Sequence, residues 1–241
     1  MVVKSQLKLV KSLHQKKYRN QHELFFVEGF KLVNELLRSG FTLEFLCATK
    51  ENIELFSTVS SVYEITEGDL RKISALKNPN GILAVFKMAK KQILTENSWV
   101  LALDAVQDPG NLGTIIRLCD WFGIQNLVCS LDTVDCYNPK VLQATMGSIA
   151  RVAITYVDLS VFLSKTKLPV FGAFMKGQSV YTQDFTSAGI LVMGNEANGI
   201  SKELEKLITQ KITIPQFGKQ TAESLNVAMA TGILLNEIRR G

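Results

Sequence analysis

The sequence predicts an α/β protein in which a C-terminal parallel sheet follows a smaller α/β domain. Three observations predict it. From Trp99 onward, short runs that are apolar throughout alternate with segments of helical period; strands lacking a polar face belong to parallel sheets covered on both sides. Residues from about Ser5 to Phe86 read as a compact set of shorter strands and helices. Between the two, KMAKKQILTENS is polar, basic and poorly patterned, which marks a linker near residues 88–98. The resulting domains are 1–90 and 98–241, and a chain of 241 residues can give each a core.

In chain order, LKLVKSLHQKKYR has helical spacing, ELFFVEG is a short strand ending at Gly29, and FKLVNELLRSG is a helix with Gly40 as its stop. LEFLCAT and SVYEIT read as strands, GDLRKISAL as a helix and GILAVFKM as the closing strand. In the second domain WVLALDAV, NLVCS, LPVFGAF, GILVMGN and KITIP are strands. NLGTIIRLCDWFG, closed by Gly123, then PKVLQATMGSIA, SKELEKL and SLNVAMATGILLNEIRR are helices.

Composition narrows the class without naming a function. Hydrophobic residues make up 46% and charged residues 20%, as in ordinary globular proteins. No apolar run approaches the ~18 residues that suggest a membrane span. The basic N-terminus lacks the apolar stretch and cleavage site of a signal peptide, so the cytoplasm is the expected compartment. Cys47, Cys119, Cys129 and Cys136 form no CxxC pair; Cys119 and Cys129 sit in apolar patterns and read as small buried hydrophobes. His14 and His22 lie in a basic segment, so no metal site is expected. Net charge is +5, with Lys4, Lys8, Lys11, Lys16, Lys17 and Arg19 in the first twenty residues. That run is either a solvated helix face or the footprint of a polyanion.

In an open parallel sheet, ligands bind beyond the C-terminal strand ends. Three unusual loops leave such ends: QDPGNLG after WVLALDAV, GNEANG after GILVM, and PQFGKQTAES after KITI. In the first, Asn111 is placed to cap the following helix, and Arg117 stands in an otherwise apolar stretch. An arginine there must reach solvent, a carboxylate or a phosphate. In the second, Glu196 sits among small turn-forming residues at a strand exit. The third runs through Glu223 and Ser224, a candidate N-cap, to Asn226, a poor helix former in a first turn. Neither GxGxxG nor a phosphate-cradling P-loop is present.

Together the three loops resemble the motifs of the SpoU (TrmH) family of RNA 2′-O-ribose methyltransferases, within the SPOUT superfamily. DAVQDPGNLGTIIR is similar to the first motif, LVMGNEANGIS to the second and ITIPQFGKQTAESLNVAMATGILLNE to the third. The stretch between Pro215 and Ser224 is a couple of residues longer than in many members. KYRNQHELFFVEGFKLVNELL and SALKNPNGILAVF resemble the L30e-like substrate-binding domain often joined to this family.

The resemblance implies a SPOUT-type α/β trefoil knot, a homodimer through the C-terminal domain, S-adenosyl-L-methionine as cofactor and RNA as substrate; the composition adds the expectation of no metal and no membrane partner. It implies catalytic roles for Arg117, Asn111, Glu196, Ser224 and Asn226. It places the cofactor against Gly194, Asn195, Ile214, Pro215 and Leu225. At Gly194 the missing Cβ suits close approach of a ligand. Arginine side chains hold their proton, so Arg117 is expected to bind the adjoining phosphate and stabilise a developing alkoxide rather than act as base. The attached N-terminal domain favours ribosomal RNA, with transfer RNA as the alternative. A non-catalytic RNA-binding or assembly factor on this scaffold would not need all five catalytic residues, and a dehydrogenase would need a glycine-rich turn that DAVQDPGN does not supply.

Overall fold

The computed structural model describes residues 1–89, 98–218 and 223–240. Contacts divide the chain into two units, Met1–Lys90 with Asp135–Ala150, and Lys91–Val134 with Arg151–Gly241. The first unit therefore includes a segment that lies within the second domain in sequence.

The first unit opens with α1 (Lys4–Ser12) and α2 (Lys16–His22), followed by β1 (Leu24–Glu28), α3 (Phe30–Leu37), β2 (Leu43–Ala48), β3 (Val62–Glu64), α4 (Glu67–Ile73) and β4 (Ile82–Lys87). Its sheet runs in the order β1-β4-β2-β3, with β4 antiparallel to both neighbours and β3 parallel to β2. The loops leaving β1, β2 and β3 consequently share one edge with the entry to β4. One face packs on α1 and α4 through Val10, Leu13, Phe26, Leu70, Ile73 and Val85.

The segment 135–150 supplies α6 (Pro139–Thr145) to this unit. Arg19 fixes it. Its guanidinium donates to Asp135 through Nε at 3.0 Å and Nη2 at 2.5 Å, and through Nη1 to the carbonyls of Leu13 and His14. The Phe25 ring lies 4.5 Å from that of Tyr137, centroid to centroid.

The second unit is a six-stranded sheet of order β10-β8-β9-β5-β6-β7, parallel throughout. Its elements are β5 (Val100–Leu103), α5 (Pro109–Trp121), β6 (Asn126–Ser130), β7 (Ala153–Val157), α7 (Leu159–Lys165), β8 (Val170–Ser179), β9 (Ile190–Met193), α8 (Lys202–Glu205), β10 (Gln210–Thr213) and α9 (Val227–Arg240). Val100, Ala102, Val128 and Val192 share a core with Leu159 and Leu163 of α7 and Leu204 of α8. The alternate residues Leu101, Leu103, Leu127, Cys129 and Leu191 point the other way and are also buried. Both faces are covered, as the apolar strands require. α9 packs along α5, and Arg239 of α9 donates to the carbonyls of Phe122 and Gly123, capping the C-terminal end of α5.

Several expectations are corrected. The N-terminal helix is two helices, because Leu13 closes α1 and Gln15, extended, opens α2. Arg19 is 2% exposed and bonded to Asp135, so it leaves the cationic run that the five lysines keep at the surface. α3 ends at Leu37 with Arg38 as its cap, not at Gly40. PKVLQATMGSIA is helical only to Thr145; Met146 then takes a left-handed conformation and Ser148–Ala150 form a 3-10 turn. β7 and α7 have no counterpart in the sequence reading. β7 is an edge strand with little buried surface and α7 has two turns, so neither leaves a strong periodic pattern. All four cysteines are buried, Cys119 and Cys129 as expected of small hydrophobes. The linker placed near 88–98 lies outside the described residues from 90 to 97, and so do 219–222 in the third loop.

Candidate active site

The strand order creates the site. β5→β6→β7 build outward on one side of β5, whereas β9 flanks it on the other, so chain direction across the sheet reverses between β5 and β9. Loops leaving such neighbours diverge to opposite faces and open a crevice at the strand ends. Here those loops are 104–108 and 194–201, two of the three singled out in the sequence. They line a cavity of about 560 Å³ with Asp104, Gln107, Asp108, Asn195, Glu196 and Asn198.

Glu196 sits at the mouth and joins the two loops. Its carboxylate accepts from the backbone N–H groups of Gln107 at 3.3 Å and Asp108 at 3.2 Å, and from Asn111 Nδ2 at 3.0 Å. Partial burial raises its pKa, but the bonds from Asn111 and the backbone outweigh that and hold it below the ordinary carboxylate value. Asn111 in turn accepts on Oδ1 from Asn226 Nδ2 at 2.9 Å. A chain Asn226–Asn111–Glu196 thus ties the third loop to the other two.

The caps differ from the sequence reading in an informative way. Asp108, with Pro109 in the first turn, caps α5 by accepting from Asn111 N–H at 2.8 Å, leaving the Asn111 side chain free for Glu196 and Asn226. At α9 the cap is Asn226 rather than Ser224: its Oδ1 accepts from the N–H groups of Ala228 and Met229 while its Nδ2 reaches Asn111. That dual use explains a poor helix former at this position.

The second loop is a tight turn closed on itself. Asn195 and Gly199 exchange backbone hydrogen bonds at 2.9 Å, and Asn195 Oδ1 accepts from Ala197 and Asn198. Asn195 Nδ2 donates to the Ala105 carbonyl at 2.7 Å, locking the turn to the end of β5. A Cβ on Gly194 would come within 2.1 Å of the Gly199 carbonyl carbon. The turn itself therefore requires glycine at this position.

Arg117 lies apart from this cluster. It is exposed and, among the described residues, makes no hydrogen bond or ion pair. Six residues beyond Asn111 on one helix, it stands ~9 Å further along the axis and about 120° round it. Within one chain, therefore, Asn111, Glu196 and Asn226 meet but do not orient Arg117. Ser224 and Leu225 are exposed ahead of α9, and Ile214 and Pro215 are half-buried at the exit of β10. β10 lies two strand spacings, ~10 Å, from β9, and none of these four is among the residues that line the cavity or join the hydrogen-bonded cluster.

Sequence reasoning missed three contributors. Asp104, 8% exposed at the end of β5, accepts from Ser201 N–H at 2.7 Å and presents a carboxylate to the cavity. Asp108 is the cap. Ala105 adopts φ +54, a conformation costly for any residue with a Cβ, held by its N–H to Ser130 Oγ and by Asn195 on its carbonyl. An acid directly after an apolar strand was a legible signal for Asp104; nothing in the sequence announces the backbone of Ala105. Among the described residues no group of His, Cys, Asp and Glu could hold a metal ion, and no helix is long and apolar enough to cross a membrane.

A six-stranded parallel sheet whose switch-point crevice is lined by Asp104, Asp108 and Glu196 suits a cationic ligand of moderate size, and ~300–1,000 Å³ is the usual range for such sites. S-adenosylmethionine, with a sulfonium and an ammonium group, fits that lining. The model of the SpoU rRNA Methylase family matches residues 98–236, and the MRM3-like substrate binding domain matches residues 4–84. The chain belongs to the SpoU family and is an S-adenosylmethionine-dependent RNA methyltransferase. Among similar proteins, 23S rRNA (guanosine(2553)-2′-O)-methyltransferase RlmP of Bacillus subtilis is 33% identical over 95% of this chain and 94% of its own. A TrmH-family structure from Porphyromonas gingivalis superposes with a TM-score of 0.91 at 39% identity, covering 100% and 99% of the two chains. An AdoMet-bound rRNA methyltransferase from Sinorhizobium meliloti gives 0.88 at 31% identity, covering 100% and 96%.

Proposed function

We propose that the chain methylates a ribose 2′-hydroxyl of ribosomal RNA, with residues 98–241 carrying catalysis and residues 1–90 engaging the RNA. The observation that carries this reading is the Asn226–Asn111–Glu196 chain, which draws the three loops together at the acid-lined crevice between β5 and β9. The 23S rRNA activity in the name of the Bacillus subtilis relative supports ribosomal rather than transfer RNA. The cytoplasm is the compartment where such a substrate is found.

S-adenosylmethionine supplies an electrophilic methyl group for in-line displacement. The chain must align a ribose oxygen with it and stabilise the negative charge that builds there. Asp104 and the turn shaped by Gly194 and Asn195 hold the cofactor on one side. The backbone at Ile214, Pro215 and Leu225 borders it on the other. Asn111, Glu196, Ser224 and Asn226 position the ribose. Arg117 binds the phosphate beside the target nucleotide and stabilises the developing alkoxide, with its free guanidinium available for a bidentate contact.

Because Arg117 stands outside the cluster of its own chain, the working site draws it from a second copy. Trp121, 84% exposed one turn beyond Arg117, and Met229, 65% exposed on α9, supply apolar surface for a homodimer. Mapping 2′-O-methylation across total RNA with and without the gene tests the function. Loss of one ribosomal site is expected; an unchanged map would refute it.

A further inference from the structure

A second cavity lies wholly within the unit formed by residues 1–90 and 135–150. Its volume is about 290 Å³, just under the ~300–1,000 Å³ found for small-molecule sites. Phe26, Val27, Leu32, Leu76 and Leu142 give it apolar walls, and Glu28 is its acid.

Glu28 ends β1 and is only 5% exposed. Its carboxylate accepts from Ser74 Oγ and from Ala75 N–H, the latter at 2.8 Å, and among the described residues it has no ion-pair partner. A carboxylate has about four acceptor positions, so roughly half remain unused beside the cavity. Burial raises its pKa more than those two bonds and nearby His14 lower it. A buried acid with spare acceptor capacity on an apolar wall is costly unless donors reach it.

The surroundings indicate which donors. Lys140 lines the cavity, Lys31 follows Glu28 by three residues at the head of α3, and Lys77 directly follows Leu76; all three are exposed. An apolar cleft lined by one lysine and one buried acid, with two further lysines next to lining residues in sequence, matches a nucleotide, whose phosphates need Lys or Arg and whose base offers N–H groups on its edge. Guanine alone presents two adjacent donors, N1–H and the N2 amine, to one carboxylate.

We infer that this cavity receives an unpaired guanine of the RNA substrate, with Glu28 accepting from its Watson–Crick edge and Lys31, Lys77 and Lys140 facing the flanking phosphates. The inference rests on the RNA engagement proposed for this unit and adds the base and the residue that reads it.

The test is a titration of the full chain with GMP, IMP and UMP, read by amide NMR shifts at Glu28, Ala75 and Lys140. Shifts should be largest with GMP, smaller with IMP, which lacks the N2 amine, and least with UMP. Glu28→Gln keeps an acceptor for Ala75 and should lower GMP affinity at least ~10-fold, as expected for hydrogen bonds to a charged group. Gln143→Trp, at an exposed lining position, should abolish the shifts by plugging the cavity.

Dispersed amide NMR signals from residues 24–87, recorded on each variant before nucleotide is added, verify the fold of this unit. If a variant loses that dispersion, the three-nucleotide comparison on the unaltered chain decides alone. Absent GMP shifts, equal shifts with UMP, or GMP shifts that survive in both folded variants would overturn the inference. Guanine-selective shifts in a chain that leaves the ribosomal methylation map unchanged would keep the base site and remove the proposed function.

Discussion

Asn226 donates from its side-chain amide to Asn111 Oδ1 at 2.9 Å, across 115 residues of sequence, and Asn111 passes the contact on to Glu196 at 3.0 Å. Each asparagine uses both ends of its amide, so the chain has a direction: donors point toward the carboxylate. Replacing Glu196 by Gln puts an amide NH2 where donors from Gln107, Asp108, Asn111 and Asn195 converge. Methyl transfer in single turnover is expected to fall ~10–100-fold, corresponding to about 1.5–3 kcal/mol for bonds to a charged acceptor. A rate within twofold of the unaltered chain would remove Glu196 from the site.

The two notable carboxylates titrate in opposite directions. Glu196 is lowered, so the order it gives the 194–201 loop persists above its ordinary pKa of ~4.3 and is lost only as pH falls through a lower, folded value. Glu28 is raised, so its contribution is complete below ~4.3 and is lost as pH rises through its higher folded value. Glu28→Gln should therefore raise Tm near neutral pH and lose that advantage in acid. A constant Tm difference across this range would contradict the sign, and side-chain carboxyl NMR would check both residues directly.

Gly194 and Gly199 face different constraints in one turn. Alanine at 194 collides with the Gly199 backbone at 2.1 Å, which no side-chain movement relieves. S-adenosylmethionine affinity should drop more than ~10-fold through loss of the turn. Gly199 has φ +67 but open space where a Cβ would project, so alanine there should cost only about 1 kcal/mol and asparagine less. Equal effects at both positions would show that neither contact matters.

Arg19 and Asp135 form a nearly buried pair, with side chains 3% and 11% exposed. Arg19→Met strands a carboxylate and should destabilise the unit by about 3–5 kcal/mol in urea unfolding. Adding Asp135→Leu should recover most of that loss; a double variant as unstable as the single one would mean that packing, not charge, dominates.

Trp121 is exposed on α5 and contributes nothing to the core of its own chain. Trp121→Glu should leave Tm nearly unchanged while shifting light-scattering mass from dimer to monomer, and should reduce methylation together with dimer content. A monomeric unaltered chain would refute the homodimer.

The sequence by itself determined the secondary structure wherever the period was strong and the side chains were uniformly apolar, as in β5, β6 and β9, because such runs have one way to leave water. It also determined the family and the residues of the three loops, since turn chemistry is local. It could not assign the caps. Asp108 and Asn111, and likewise Ser224 and Asn226, are equally good cap residues in isolation, and only the hydrogen bonds formed by the assembled loops distinguish them. It could not show that Arg19 is buried, because the partner is 116 residues away. Tertiary structure alone decided that β9 lies beside β5, bringing Glu196 against Asn111, and that α6 joins the N-terminal sheet to close a cavity over Glu28. These are contacts between segments distant in sequence, and their energies arise from packing that no local pattern encodes.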